Sequence, residues 1–377
     1  MDKRQYQTEA IAFLANSKRG IVESPAGSGK TIICAAALAQ CLERPRPAKA
    51  VIEVMVNCVE HIAQFEKAFS VFPIIARNAK VSVFCAAGAP LDTSPDLLCV
   101  DECHHAASKS WAKKIKQAQK AIWGFSATPF GLNYDRNEKI RELFGPASIV
   151  IEREQLVEDG HLAEALVIWH TITDKGVTRN IEELKQAKLQ EAHRDKPWMF
   201  EGNRRTAEKH TRQIEYRAVL QAGFYENEPR NAIIINEANA HIKAGHSVIL
   251  LIGKISHGEA LAAQIAGAVQ CNSRLGKKKR RDTIEAFQQG EIRCLVATSL
   301  LEEGFDAPIA SCLIVAAGGK SNRKSVQSTG RVLRPFDNKS HGIVIDFKDE
   351  FDPMVSWHSD ERSNTYAELN YQQSDAH

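Results

Sequence analysis

The sequence of 377 residues has no long hydrophobic run. No apolar stretch reaches the roughly 18 residues that a membrane-spanning helix needs. The opening residues MDKRQYQTEA are polar and unlike a secretory signal. We therefore expect a cytoplasmic protein without membrane contact, of plausible bacterial or phage origin. Internal repeats and low-complexity tracts are also lacking, which argues against repeat architectures.

Cysteine pairs are missing as well. Nine cysteines are scattered singly, with no CxxC pair, and most lie inside apolar runs, as Cys34, Cys99 and Cys294 do. Such isolated cysteines are typical of small buried hydrophobes rather than of disulfides or zinc ligands.

The sequence also lacks a large excess of charge of either sign. A net charge of +3 excludes a globally cationic surface, so any contact with nucleic acid must come from a local basic groove. The apolar and charged fractions, 44% and 25%, are ordinary for globular proteins. The length exceeds the usual size of one domain, so two α/β units are expected.

Two stretches alternate short apolar strands with helical patterns, which is typical of parallel sheets covered by helices. The first alternation runs from Gly20 to Ser126, and the second begins at Ser247. Residues 175–226, between them, are charged and helix-prone with few apolar clusters. We predict domains at 1–160 and 231–355, a helical connector at 161–230 and a tail at 356–377.

A phosphate-binding loop is predicted between the first strand and its helix. The loop reads Ser24-Pro25-Ala26-Gly27-Ser28-Gly29-Lys30-Thr31, with Ser24 where the strict pattern has glycine. The glycines let backbone N–H groups face phosphate oxygens, Lys30 can reach the terminal phosphates, and Thr31 can bind Mg²⁺. The alternative is a glycine-rich turn that binds no ligand.

Two carboxylates follow the strand Leu97-Leu98-Cys99-Val100. Asp101 and Glu102 are thereby predicted at the carboxyl end of a buried strand, where α/β sheets place ligands. Asp101 can hold Mg²⁺, and Glu102 can orient or deprotonate the attacking water of a phosphoryl transfer. A rival metal site of Glu102, His104 and His105 is disfavoured, because neighbouring residues at a strand end point in different directions.

With these residues the chain resembles the superfamily 2 helicases and translocases. The segment Asp101-Glu102-Cys103-His104 matches the DExH motif of that family. The resemblance extends over nearly the whole chain and implies two RecA-like α/β domains, each a mostly parallel sheet flanked by helices, that share one ATP site. It adds His104 to the catalytic group and implies that Ser126-Ala127-Thr128-Pro129 links ATP to nucleic acid. Arg4 and Gln7 match the segment that reads adenine.

The second domain carries a further helicase-like pattern, Gln327-Ser328-Thr329-Gly330-Arg331-Val332-Leu333-Arg334. Arginines three apart share a helix face and suit an anion, although an isolated pair is more often a solvated surface. The resemblance implies that Gln327, Arg331 and Arg334 serve catalysis. It likewise implies that Gly304 and Asp306 sense the nucleotide.

Nucleic-acid contacts are less well defined by the sequence. The resemblance implies Thr298 and Asn57 as contacts, but the segment around Asn57 lacks the usual Pro-Thr character. Lys277 and Lys278 begin a cationic run that fits a phosphate track or a solvated helix start equally. Basic residues and Trp198 in the connector pose the same question.

The predicted function is an ATP- and Mg²⁺-dependent helicase or translocase. Resemblance to phage, DNA-repair and restriction-type members favours DNA over RNA. The alternatives are a double-strand DNA translocase without unwinding activity and a nucleic-acid clamp with an inert ATP site.

Replacing Arg334 tests the predicted arginine finger. Arg334→Ala should leave ATP binding largely intact but slow turnover by about 10³-fold or more, since it removes a charge needed only as the phosphoryl group transfers. Nucleotide titration and single-turnover hydrolysis measure the two effects. Normal turnover would refute the assignment.

Overall fold

The computed structural model describes residues 4–376 except 26, 46, 58–59, 87, 89–94, 119, 132, 202, 299–306, 319–328 and 330–340. Within that part the chain divides into two compact units, the first made of the described residues up to Leu162 and the second beginning at Ala163. None of the described helices is both long and apolar enough to cross a membrane.

The first unit is built on six parallel strands in the order β3-β2-β4-β5-β1-β6. The strands are β1 (Arg19–Glu23), β2 (Ala50–Val56), β3 (Ala79–Cys85), β4 (Leu97–Asp101), β5 (Ile122–Ser126) and β6 (Ser148–Val150). Every residue of β4 and β5 is buried, as expected for central strands covered on both faces.

Seven helices flank this sheet in the part of the unit that the structure describes. They are α1 (Gln5–Ala15), α2 (Lys30–Leu42), α3 (Glu60–Ser70), α4 (Pro73–Asn78), α5 (Lys109–Ile115), α6 (Tyr134–Phe144) and α7 (Arg153–Glu158), with a 3-10 helix at Cys103–Ala107. The run Ile33–Ala39 in α2 is buried throughout and joins the core with β2 and α1. A helix this apolar must be covered on most sides, and α2 therefore anchors the phosphate loop before it.

The second unit holds seven parallel strands in the order β13-β7-β12-β11-β8-β10-β9. They are β7 (Glu164–Ile172), β8 (Ser247–Leu251), β9 (Ala268–Cys271), β10 (Cys294–Ala297), β11 (Ala310–Val315), β12 (His341–Asp349) and β13 (Gln372–Asp375). Its described helices are α8 (Lys175–Asp195), α9 (Arg204–Leu220), α10 (Glu228–Lys243), α11 (Ile255–Ala262), α12 (Lys277–Gln288) and α13 (Pro353–Glu368). Pro197–Met199 is a 3-10 helix and Gln221–Tyr225 a π-helix.

Two strands of this sheet lie outside the range 231–355 predicted for the C-terminal domain. β7, in the predicted connector, pairs with β12 over nine residues, and its buried positions alternate. β13, in the predicted tail, is polar and exposed at the sheet edge. Polar edge strands give little apolar signal, which explains why the sequence pattern does not reveal β13.

The rest of the predicted connector is helical, in α8 and α9. It also contributes to the second core, because Val177, Ile181 and Val219 are buried in the same cluster as β8 and β11. The two helices therefore pack onto the second unit.

A buried ionic network fastens α13 to β12. Arg362 donates to both Asp346 oxygens at 3.0 Å, and Tyr366 donates to Asp346 Oδ2 at 3.0 Å. Arg230 of α10 pairs with Asp349 at 2.9 Å, and both side chains are at most 1% exposed. Buried charges of this kind persist only when paired and hydrogen-bonded.

Breaking this network should destabilise the second unit. Arg362→Ala leaves Asp346 buried without its ionic partner, so we expect a loss of about 3–5 kcal/mol in unfolding free energy. Urea unfolding followed by tryptophan fluorescence measures it, since Trp169 contacts Tyr366 at 5.8 Å between ring centroids.

The matched control is Arg204→Ala, which removes an arginine whose side chain is 93% exposed and paired with Glu208 four residues along the helix. Such a pair contributes at most about 0.5 kcal/mol. Equal losses in the two variants would contradict the proposed importance of the buried pair.

Candidate functional site

The phosphate loop lies directly after β1, between that strand and α2. Gly27 and Gly29 have φ angles of 89° and 87°, a backbone region that favours glycine. Lys30 Nζ donates to the carbonyl oxygens of Ser24 at 3.0 Å and Pro25 at 3.2 Å. The lysine ammonium thus lies over the loop, where it can also meet a phosphate.

Ser24, the departure from the strict loop pattern, has a structural role. It is 1% exposed, and its hydroxyl accepts a hydrogen bond from Ser28 Oγ at 2.9 Å. Its backbone N–H donates to Ser126 O at 3.0 Å. The serine hydroxyl therefore ties the two sides of the loop together, and the backbone at this position joins the loop to the end of β5.

Residues of the first helix support the same loop. Tyr6 Oη donates to Ser28 O at 2.9 Å, and Arg4 Nη1 donates to Tyr6 Oη at 3.2 Å. Gln7 Nε2 lies 3.5 Å from the same phenol oxygen and 3.0 Å from the position of a Cβ on Gly29. Arg4 and Gln7, both predicted from sequence, are thus at the phosphate loop, with Tyr6 as the contact that the prediction missed.

Asp101 ends β4 and is held by a helix side chain. It is 7% exposed, and His61 Nδ1 of α3 lies 2.9 Å from Asp101 Oδ2. No local pattern reveals this pair, because 40 residues separate its members. The contact orients one carboxylate oxygen and leaves the other for a further ligand.

Glu102 adopts a left-handed backbone conformation, with φ 48° and ψ 50°. Its Oε2 lies 3.2 Å from His104 Nδ1. Burial alone would raise the pKa of Glu102, but the hydrogen bond from His104 and the positive charge of Lys30 outweigh burial and lower this pKa to about 2. The ionised carboxylate accepts hydrogen bonds from water but is a weak proton acceptor.

His104 connects the acidic pair to the end of β5. Its Nδ1 lies 3.0 Å from Ser126 Oγ, which also accepts a hydrogen bond from Thr128 N at 3.1 Å. His104 is 3% exposed, and Arg136 Nη2 donates to its carbonyl oxygen at 2.7 Å. The sequence-predicted link through Ser126 therefore has a defined path, from Glu102 through His104 to the loop that follows β5.

The donor set suits a Mg²⁺–nucleotide complex. Inward-turning glycines and the first turn of α2 favour phosphate, while the carboxylate of Asp101 and the hydroxyl of Thr31 are oxygen donors of the kind that Mg²⁺ prefers. No group of three or more His, Cys, Asp or Glu side chains among the described residues is arranged to hold a metal ion. Glu102, His104 and His105 are therefore not arranged as metal ligands in the structure.

Family models match both units. The model described as "Type III restriction enzyme, res subunit" matches residues 1–84 and 86–131, and "Helicase conserved C-terminal domain" matches residues 227–335. The chain belongs to the superfamily 2 helicases. The first match contains the phosphate loop and Asp101.

Relatives agree with this assignment. The protein named "Putative helicase 22" of Sulfolobus islandicus filamentous virus is 25% identical over 92% of this chain. The DNA 3'-5' translocase XPB2 of Sulfurisphaera tokodaii is 23% identical over 94% of this chain and 84% of its own. The chain spans 64% of the viral helicase. Among solved structures, the Pyrococcus furiosus Hef helicase domain has the same fold, with a TM-score of 0.59, 15% identity, and coverage of 95% of this chain and 98% of that one.

The site residues predicted in the second domain fall into two groups, those that the structure describes and those that lie outside the described part. The described ones are Thr298, partly buried just after β10, and Lys278, exposed in the first turn of α12. His257 of α11, a residue outside these predictions, is 3% exposed, and its Nε2 lies 2.8 Å from Asn231 Oδ1. Burial, with the charges of Arg230 and Lys254, lowers its pKa to about 4.

Several predicted site residues lie outside the described part of the chain: Ala26, Gly304, Asp306, Gln327, Arg331 and Arg334. The side chain of Lys277 does so too. In the first unit, Asn57 is exposed directly after β2, at the same sheet edge as Asp101, and its carbonyl oxygen accepts from Cys85 Sγ at 3.3 Å.

Substituting Gly29 tests the phosphate loop. Gly29→Ala forces a side chain into a φ of 87° and places its Cβ 3.0 Å from Gln7 Nε2. Strain of this kind should weaken ATP binding by about tenfold or more. Titration with a fluorescent ATP analogue measures the change.

Gly276→Ala is the matched control. Gly276 has a φ of −60°, and a Cβ there would have no neighbour within 4 Å. Its nucleotide affinity should equal that of the unmodified chain. If Gly29→Ala also binds normally, the loop does not hold phosphate in the way described.

Proposed function

We propose that this helicase hydrolyses ATP to move along nucleic acid, with DNA as the preferred polymer. The observation that carries the proposal is the continuous path from the phosphate loop to the end of β5. Ser24 bonds to the backbone of Ser126, and His104 bonds to the hydroxyl of the same serine. A structural change at the bound nucleotide can therefore alter the position of the segment that follows β5 through these hydrogen bonds.

The candidate site residues of the first unit have the following proposed roles. Lys30 contacts the terminal phosphates, and Thr31 and Asp101 hold Mg²⁺, which supplies charge neutralisation on the phosphates when bound. Glu102 orients the attacking water, as its low pKa suits a hydrogen-bond acceptor. Arg4 and Gln7, next to the loop, contact the base.

The second domain is proposed to complete the chemistry. Gln327, Arg331 and Arg334 stabilise the charge that develops on the transferred phosphate, and Gly304 and Asp306 respond to the nucleotide. These roles rest on the helicase-like sequence patterns and on the matched C-terminal family model. Asn57, Thr298, Lys277 and Lys278 are proposed as contacts to the polymer.

DNA is favoured by the relatives. The Sulfurisphaera tokodaii relative is named a DNA 3'-5' translocase, and it aligns over 94% of this chain. A clamp with an inert ATP site is disfavoured by the intact set of Lys30, Asp101 and Glu102, which the structure holds in ordered contacts.

ATP hydrolysis measured without nucleic acid, with single-stranded DNA, with duplex DNA and with RNA tests the proposal. We expect DNA to raise the rate of ATP hydrolysis well above the rate without nucleic acid. If the protein separates strands, single-stranded DNA should also raise this rate. A forked duplex with one labelled strand then measures unwinding. Lys30→Ala should abolish hydrolysis and unwinding because it removes the charge on the terminal phosphates.

The possible outcomes separate the alternatives. Stimulation by duplex DNA without unwinding of the fork would favour a double-strand translocase. A rate that no nucleic acid changes would sink the motor proposal, and a larger response to RNA would overturn the preference for DNA.

A further inference from the structure

The last described residues of the chain return to the second sheet and are fastened there. β13 pairs in parallel with β7, so that Gln372 lies opposite Leu166. Trp169 Nε1 donates to Gln373 Oε1 at 2.8 Å, and Ala376 N donates to Trp169 O at 2.8 Å. All residues of β13 are exposed. Burial of its own side chains therefore does not account for this strand, whereas its hydrogen bonds fix the position of the residue that precedes it.

Tyr371, the residue before β13, is buried against α13. It is 8% exposed, and its ring stacks on that of Tyr366 with centroids 5.8 Å apart and planes 17° apart. Its backbone N–H donates to Tyr366 O at 3.0 Å. Tyr366 is in turn held by Asp346, in the buried ionic network of this unit. The Tyr371 ring therefore has a fixed support on the second core.

The phenol oxygen of Tyr371 reaches the arginine segment, residues 327–334. Tyr371 Oη lies 3.2 Å from Thr329 Oγ1, a hydrogen bond between side chains 42 residues apart in the chain. Thr329 is fully buried and has a helical backbone. In the sequence it stands shortly before Arg331 and Arg334. The C-terminal segment thus contacts the stretch of chain that carries both arginines.

A hydrogen bond between these two side chains does something that burial alone does not. Phenylalanine and valine have shapes close to those of tyrosine and threonine, and they pack in apolar surroundings without needing polar partners. A hydrogen bond adds little net stability, but its short distance and its direction specify one relative position of the two groups. The paired hydroxyl groups are therefore suited to fixing the place of Thr329.

We propose that Tyr371 is a positioning residue for ATP hydrolysis. It holds Thr329 in place and thereby sets the position of Arg331 and Arg334, without itself touching the nucleotide. An arginine that stabilises charge on the transferred phosphate must be placed accurately, because a displacement of about 1 Å can slow a reaction by about 10²-fold. The inference rests on the proposed function, since it assigns a task to the residues that support the two arginines.

Removing the phenol oxygen tests the proposal. Tyr371→Phe keeps the ring on Tyr366 but loses the hydrogen bond to Thr329. Its single-turnover rate of ATP hydrolysis should fall by about tenfold while its affinity for ATP stays unchanged, because the arginines are needed only as charge develops on the phosphate. The rate is measured with the nucleic acid that gives the unmodified chain its highest rate, and ATP binding is measured by titration with a fluorescent analogue.

Two substitutions at Thr329 separate the hydroxyl group from the shape of the side chain. Thr329→Val keeps the shape and loses the hydroxyl, so it should hydrolyse ATP about as slowly as Tyr371→Phe. Thr329→Ser keeps the hydroxyl and loses a buried methyl group, so its thermal unfolding midpoint should fall while its rate of hydrolysis stays close to normal. The double variant with Thr329→Val and Tyr371→Phe should be no slower than either single variant, because both changes remove the same hydrogen bond.

Ser363→Ala is the matched control. Ser363 Oγ of α13 donates to Gln373 Oε1 at 3.1 Å, so the variant removes another side-chain hydrogen bond of the same C-terminal segment, at an exposed position. Its rate of ATP hydrolysis should equal that of the unmodified chain. Equal slowing in Ser363→Ala and Tyr371→Phe would mean that any loosening of the segment slows hydrolysis, and the specific role of Tyr371 would be overturned.

The outcomes distinguish this inference from the proposed function. If Arg331→Ala and Arg334→Ala both hydrolyse ATP at the normal rate, the proposed role of the arginines fails and the inference with it. If Arg334→Ala is slow and Tyr371→Phe hydrolyses ATP normally, only the inference fails. A Thr329→Ser variant as slow as Thr329→Val would also overturn the inference, because the hydroxyl group would then not be the group that acts.

Discussion

Parallel pairing of β1, β4 and β5 is the constraint on which the candidate site depends. Because all three strands run the same way, their carboxyl ends meet at one edge of the sheet. The phosphate loop follows the first, the acidic pair ends the second, and Ser126 ends the third. Had any of these strands been antiparallel, its functional residues would lie at the opposite edge.

Hydrogen bonds link the residues at these neighbouring strand ends to one another. Ser24 reaches the backbone of Ser126, and His104 reaches its side chain and Glu102. These groups are largely buried, where polar groups without partners would be costly. The same contacts that satisfy the buried groups therefore also connect the phosphate loop and Glu102 to the end of β5.

Charged side chains lie in different environments in the two units. In the first, charged groups remain at the sheet edge, where Asp101 and Glu102 can meet a ligand. In the second, Arg230 of α10 and Arg362 of α13 form buried ion pairs with Asp349 and Asp346 of β12. Buried pairs of the second kind hold structural elements together.

The amino-acid sequence by itself determined the α/β class, most strands of both sheets and the position of the loop between β1 and α2. Strand and helix periods, and motifs such as Gly27-Ser28-Gly29-Lys30-Thr31, are local, and local spacing is readable without a fold. Only the tertiary structure decided that His61 holds Asp101, that Tyr6 supports the loop, and that β7 and β13 join the second sheet. Those facts depend on packing between residues far apart in the chain, for which a single sequence carries no periodic signal.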